Sequence, residues 1–258
     1  MLSAAFFVLS TSYVAWYFQQ NEIKAVYPFD ATYATPAEAG APRMEEGSFA
    51  TDDGETLVLW RAEAQPDKPT VLYFSGNAGG LKERSERFSK LIDQGYGVVA
   101  PAYRGSSGST GKPDEMTLLD DARALAASLE DLPLVIYGES LGTAVAIRLA
   151  AEGTGDRIVL EAPFTSIPDL VLSQHPTETL DHLITQRWES HLYMPDVTQP
   201  LMVVHGDRDH LVPITMGETI FGSAGSKDKK FLRIDDMGHS GLWTGEMQSA
   251  LFMFLNGG

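Results

Sequence analysis

Ser140 stands in the run Gly138, Glu139, Ser140, Leu141, Gly142, directly behind an apolar stretch of strand character (132–137) and directly ahead of an apolar helical stretch (143–151). A serine hydroxyl is a poor nucleophile at neutral pH, so it attacks a carbonyl carbon only where a base takes its proton and a third group orients that base. A serine held between a strand and a helix sits on a sharp turn that pushes Oγ into the open. The flanking glycines are needed because a Cβ at either place would collide with neighbouring backbone. The five-residue pattern alone is weak; the strand-to-helix setting, with partners downstream, makes it informative.

The base must be a histidine, and the chain offers six. His239 is the best placed. It follows the apolar run 231–234, expected to be the last strand, and stands in Met237, Gly238, His239, Ser240, Gly241, a loop able to reach back over a sheet edge. A histidine beside glycines is by itself an ordinary surface feature; its place after Ser140 and after an acidic loop selects it. The acid is expected in the turn after the preceding strand, where 201–204 leads into His205, Gly206, Asp207, Arg208, Asp209, His210, Leu211, Val212, Pro213. Two aspartates compete. Asp209 is preferred because it lies mid-loop, before Val212 and Pro213 restart packed structure, whereas Asp207 suits a turn-supporting role through its own backbone. His205 and His210 flank the turn and read as structural.

Attack on a carbonyl creates an oxyanion, which preorganised backbone N–H groups stabilise. The Leu141 N–H comes with the turn itself. The second donor is expected after the third strand, where Ser75, Gly76, Asn77, Ala78, Gly79, Gly80 form a loop of small residues whose backbone can approach a ligand closely, with Asn77 as the donor. No GK[ST] or GxGxxG follows, so phosphate cradling is the minor reading. Tyr103 to Gly108 form a second small-residue loop, expected as a wall beside the site.

Elements must exist to carry these loops. From Ser48 the pattern predicts a strand, a turn at Asp52, Asp53, Gly54 and a second hairpin arm at 56–61; apolar runs follow at 70–74, 97–100, 134–137, 158–160 and 201–204, with helical stretches near 81–93, 114–129 and 140–151. Short continuous apolar strands alternating with helices predict an α/β fold: a mostly parallel central sheet with helices on both faces and sites beyond the carboxyl ends of the strands. The interval 165–199, rich in histidine, aromatic residues and proline, exceeds a simple crossover and reads as a short cap. Its His175, His182 and His191 match no ligand spacing, so cap surface is the reading and no metal is expected.

The length of 258 residues and 43% hydrophobic content suit one well-cored catalytic domain, 48–258, preceded by a lead-in at 21–47 that reads as a tether with no chemistry. A formal charge of −16 repels nucleic acid and anionic lipid headgroups, so neither is an expected partner. With no cysteine, thiol nucleophiles, disulfides and thiolate metal sites are excluded together. Residues 1–18 carry no charge and end in Tyr13, Trp16 and Tyr17. As a helix they would extend about 27 Å, just short of a hydrocarbon core of about 30 Å. A membrane anchor is the favoured reading of this hydrophobic segment (1–20), with a helix docked on the domain second and a cleaved signal peptide third. Nothing in the sequence sets the oligomeric state or the side of a membrane.

With these pieces in order, the chain from about residue 48 onward resembles the α/β-hydrolase superfamily. SGNAGG (75–80), YRGSSGSTGKP (103–113), YGESLG (137–142), EAPFTS (161–166), HGDRDHLVP (205–213) and GHSGLW (238–243) are similar to the compact, short-capped serine hydrolases of the bud-emergence and serine-aminopeptidase-like group. The order Ser140, Asp209, His239 is the order of that superfamily. The resemblance implies an α/β-hydrolase fold, a seryl acyl-enzyme route with Ser140 as nucleophile, His239 as base and Asp209 as acid, oxyanion donors at Asn77 and Leu141, no cofactor, and an N-terminal membrane anchor. Relatives commonly carry histidine where this chain has Ser75, which alters support of the oxyanion loop without removing its backbone donor. Small-molecule or acyl esters are the expected substrates, with thioesters the nearest alternative. A peptidase rests on the family label alone, and a non-catalytic scaffold is the rival of a different class.

Overall fold

The computed structural model describes residues 21–174 and 182–257. The hydrophobic segment 1–20 and His175 lie outside the described residues. Eight strands form one sheet: β1 (Glu45–Ala50), β2 (Thr56–Ala62), β3 (Thr70–Phe74), β4 (Gly97–Pro101), β5 (Leu134–Glu139), β6 (Arg157–Glu161), β7 (Leu201–Gly206) and β8 (Lys229–Ile234), in the order β1-β2-β4-β3-β5-β6-β7-β8. β2 pairs antiparallel with both β1 and β4, and every pairing from β4 to β8 is parallel. The predicted α/β sheet is therefore present, with β1 starting ahead of the expected Ser48.

The continuous apolar strands are buried on both faces, and their alternation divides the core in two. Val71, Tyr73, Val135, Tyr137, Val159, Met202 and Val204 point to one face. There they meet Phe88 and Leu91 of α2 (Ser85–Asp93) and Met247, Leu251 and Phe254 of α8 (Gly245–Leu255). Leu72, Phe74, Ile136, Ile158, Leu160 and Val203 point to the other, under α3 (Glu115–Ala127), α4 (Leu141–Ala151) and α7 (Ile214–Ser223). Neighbouring positions on a strand thus serve opposite layers, as the two-residue side-chain period requires. Helix starts carry their signals: Asp114 accepts the Thr117 N–H at 2.9 Å to cap α3, and Thr244 Oγ1 accepts the Met247 N–H at 3.2 Å to cap α8.

The order of strands reverses at β3, whose register with β5 sets Phe74 opposite Gly138. The loops leaving β3 and β5 emerge side by side at this switch point, where open α/β sheets build their sites.

The interval after β6 contains α5 (Ile167–Gln174), α6 (Ser190–Tyr193) and a 3-10 turn (Met194–Asp196). The lead-in departs from a free tether. Residues 21–26 form a helical turn, α1, and the following stretch has no regular structure, as the sequence indicates, yet Val26 and Tyr27 are buried in one core layer and Ala41 and Met44 in the other. Among the described residues no helix is long and apolar enough to cross a membrane.

Candidate active site

Ser140 joins β5 to α4 with φ 49° and ψ −115°, a conformation rare for a residue with a side chain. Its N–H is tied to the Glu161 carbonyl at 2.8 Å. The glycines around it are required for space. A Cβ at Gly142 would lie 2.1 Å from the Phe74 carbonyl oxygen, and one at Gly138 would lie 2.5 Å from the Gly142 carbonyl oxygen. Close passage of β3 and the head of α4 is what holds the turn sharp.

His239 reaches back from the loop after β8. Its Nε2 lies 2.9 Å from Ser140 Oγ and its Nδ1 lies 2.7 Å from Asp209 Oδ2. Asp209 is the innermost member, its side chain fully buried, and its Oδ1 accepts the N–H groups of Leu211 (2.9 Å) and Val212 (2.8 Å). Burial alone would push this carboxyl up; hydrogen bonds from His205, His239 and the Val212 N–H outweigh that and hold it well below the usual carboxylate range. A carboxylate that stays charged here keeps the Nδ1 proton on its own side of the ring and leaves Nε2 free to accept the serine proton.

His205 and Asp207 do more than flank the acid turn. The His205 ring is fully buried, with Nε2 2.9 Å from the Val212 carbonyl and 3.4 Å from Asp209 Oδ2, so it packs behind Asp209. Asp207 binds across loops rather than within its own: it accepts the Asp236 N–H at 2.7 Å and Arg233 Nη2 at 2.8 Å. Together with the Arg208 N–H on the Met237 carbonyl at 2.9 Å, this fastens the His239 loop to the Asp209 loop. His210 is exposed.

Leu141 opens α4, where the first N–H groups of a helix have no acceptor within it. Asn77 lies on the loop after β3, in the wall of the same cavity as Ser140. The loop passes so near that a Cβ at Gly76 would stand 3.3 Å from Ser140 Cβ. The Tyr103–Gly108 stretch backs this loop: Tyr103 donates to the Ser75 carbonyl at 2.9 Å, while Arg104 bridges Asp53 and Asp121.

The cavity over Ser140 has a volume of about 520 Å³. One wall is charged, which the sequence reading missed. Glu139 and Glu161 end adjacent strands and pair in register, and two neighbouring carboxylates buried there require cations. Arg84 meets Glu139 at 2.7 Å and Arg87 meets Glu161 at 2.5 Å; Tyr73 donates to Glu139 and Tyr137 to Glu161. Burial opposes ionisation of Glu139, but the charges of Arg87 and Arg84 and hydrogen bonds from Arg84 and Tyr73 bring its carboxyl down to about 2. Two carboxylates ending neighbouring apolar runs were the available signal.

In the interval after β6, His191 Nδ1 donates to the Thr165 carbonyl at 3.0 Å and His182 is exposed. Among the described residues no cluster of three potential metal ligands occurs.

Comparison with known proteins gives consistent relatives. The family described as "Serine aminopeptidase, S33" matches residues 65–193. The chain is 29% identical over 244 residues to an uncharacterized protein of Mycobacterium tuberculosis, covering 92% of this chain and 86% of that one. It is 32% identical over 215 residues to protein bem46 of Schizosaccharomyces pombe, covering 76% and 71%. Similarity to the lysophosphatidylserine lipase ABHD12 of Rattus norvegicus is 31% over 192 residues, spanning 64% of this chain and 48% of that protein. Among solved structures, the esterase Pf2001 of Pyrococcus furiosus superposes with a TM-score of 0.74 at 20% identity, covering 89% of this chain and 98% of that one.

Proposed function

The chain belongs to the serine aminopeptidase, S33, family of α/β-hydrolases, in its bem46-like group, and from that premise we propose that this hydrolase cleaves carboxylic esters through a seryl acyl-enzyme. The observation that carries the reading is the unbroken line of hydrogen bonds from Asp209 through His239 to Ser140 Oγ. Ser140 attacks the ester carbonyl while Nε2 of His239 takes its proton; the same nitrogen then returns the proton to the departing alcohol, and water repeats the cycle to free the acid. Asp209 orients the ring and stabilises its transient charge. The N–H groups of Leu141 and Asn77 receive the oxyanion. No step calls on a cofactor.

The wall of paired carboxylates and guanidinium groups beside Ser140 favours an ester with a polar portion. Such esters include lysophospholipids, and one relative bears the name of a lysophosphatidylserine lipase. On sequence alone, residues 1–18 are proposed to hold the enzyme at a lipid surface, ahead of a hydrolase domain at 48–258 with its cap at 165–199.

Turnover of a p-nitrophenyl ester and labelling by a fluorophosphonate test the chemistry together. Ser140→Ala is expected to lose label entirely and to lower kcat by about four to six orders of magnitude. Near-full activity in that variant defeats the proposal.

A further inference from the structure

We propose that the segment 21–33 is a strap that aims the oxyanion loop, with the Asn77 side chain as the positioning group it grips. The proposal rests on the reading of Asn77 as a backbone oxyanion donor and extends it to the parts that hold that donor still.

The strap grips the loop at its start, middle and end. At the middle, Asn77 Nδ2 donates to the Val26 carbonyl at 2.9 Å. At the start, Phe29 stacks on Tyr103 with ring centroids 5.1 Å apart, and the Tyr103 hydroxyl donates to the Ser75 carbonyl. At the end, the Asp30 carbonyl accepts the Ser107 N–H at 2.8 Å, while Ser107 Oγ accepts the Leu81 N–H at 3.1 Å. A loop of small residues has few side chains with which to fix itself; Arg84 holds its Ala78 carbonyl at 2.6 Å and Glu83 accepts its Gly80 N–H at 2.7 Å, while the strap supplies the hold on Asn77.

The same strap is bolted to the cap. The Glu22 carboxylate accepts the N–H groups of Thr185 (2.8 Å) and Gln186 (2.9 Å). The Tyr27 hydroxyl accepts from Trp188 Nε1 at 2.9 Å and donates to Gln186 Oε1 at 2.7 Å. Trp188 itself has φ 42°, a strained setting for a large side chain, and persists because its surroundings over-determine it. Hydrogen bonds therefore connect residues 185–188, the strap and the oxyanion loop in one continuous set of contacts. Catalytic donors tolerate little displacement, since a shift of about 1 Å at a reacting centre costs on the order of a hundredfold in rate.

The test uses full-length protein and separates positioning from folding. Rates are divided by the fraction of enzyme that a fluorophosphonate titrates, and affinity for an alkyl boronic acid, whose tetrahedral adduct carries the oxyanion, is measured alongside. Asn77→Ala removes the grip and keeps the backbone donor. The expected result is kcat lowered at least about tenfold, KM within about threefold of the parent, and boronate affinity falling in step with kcat. A titre-corrected kcat within twofold of the parent, or a loss explained entirely by a fallen titre, overturns the strap. Should Asn77→Ala fail to fold, Tyr27→Phe, which cuts the tie to the cap and keeps the ring, is judged by the same split between kcat and KM. Ser140→Ala run in parallel isolates the premise: if it stays active, the serine mechanism has failed, whereas an inactive Ser140→Ala beside an unaffected Asn77→Ala condemns the strap alone.

Discussion

Replacing Asp209 by asparagine strikes the line of hydrogen bonds at its most buried link. In the parent, Oδ1 takes two backbone N–H groups at 2.9 and 2.8 Å, and Oδ2 takes His239 Nδ1 at 2.7 Å. An asparagine of the same shape has one acceptor oxygen. Two backbone donors hold that oxygen in the Oδ1 position, because turning the amide over would set its NH₂ against them both. The NH₂ then faces His239 Nδ1, which must become an acceptor, and the ring proton moves to Nε2. An N–H so placed, 2.9 Å from Ser140 Oγ, cannot take the serine proton. In serine triads this tautomer reversal lowers kcat about 10⁴-fold with the geometry intact, a barrier increase of roughly 5.4 kcal/mol at about 1.36 kcal/mol per decade. Stopped-flow acylation by p-nitrophenyl acetate reads the step directly, with thermal unfolding as a control. Asp207→Asn keeps an acceptor for the Asp236 N–H and gives up only the charge facing Arg233, so its kcat is expected to stay within about threefold. A loss below tenfold in Asp209→Asn, or an equal loss in Asp207→Asn, refutes the assignment of the acid.

Other perturbations probe the scaffold beneath the site. The depressed Glu139 carboxyl binds its proton less tightly in the folded state than in the unfolded chain, so its contribution to stability is complete above about pH 5 and is lost as pH falls toward about 2. Urea midpoints recorded from pH 2 to 6 are expected to show a flatter acid limb for Glu139→Gln than for the parent, with lower stability at pH 7 because Arg84 loses its counter-charge; parallel limbs would contradict this. On α7, a Cβ at Gly217 would lie 2.3 Å from the buried His205 ring, whereas one at Gly222 meets nothing within 4 Å. Gly217→Ala is therefore expected to cost about 1–3 kcal/mol by overpacking and to lower activity through the acid loop. Gly222→Ala is expected to gain about 0.5–1 kcal/mol from helix propensity. Denaturant titration of the pair decides, and equal shifts would rule out the contact as the cause.

What could be read beforehand follows from how locally each feature is encoded. The Ser140 turn is visible because one short window contains the end of a strand, two glycines and the head of a helix. Each buried parallel strand is a continuous apolar run, which no change of register can hide. The strap left no such mark. Two of its grips use the carbonyls of Val26 and Asp30, groups every residue carries, and its buried Val26 and Tyr27 and half-buried Phe29 follow no period. Arg84 and Arg87 look like the polar face of an ordinary helix until the sheet register sets Glu139 beside Glu161. The reach of Asp207 to the loop after β8 likewise exists only once two parallel strands have paired.

The strap has a thermodynamic corollary. It lies outside the sheet: Val26 and Tyr27 reach the core, but its polar grips run to loops, whereas the strands are locked by a ladder of buried pairings. Segments of that kind detach at a lower free energy than the body they lie on. Mild denaturant is therefore expected to silence the enzyme while its far-ultraviolet circular dichroism is still intact, and dilution should restore turnover without a refolding lag. If inactivation and loss of ellipticity share one midpoint, residues 21–33 melt with everything else.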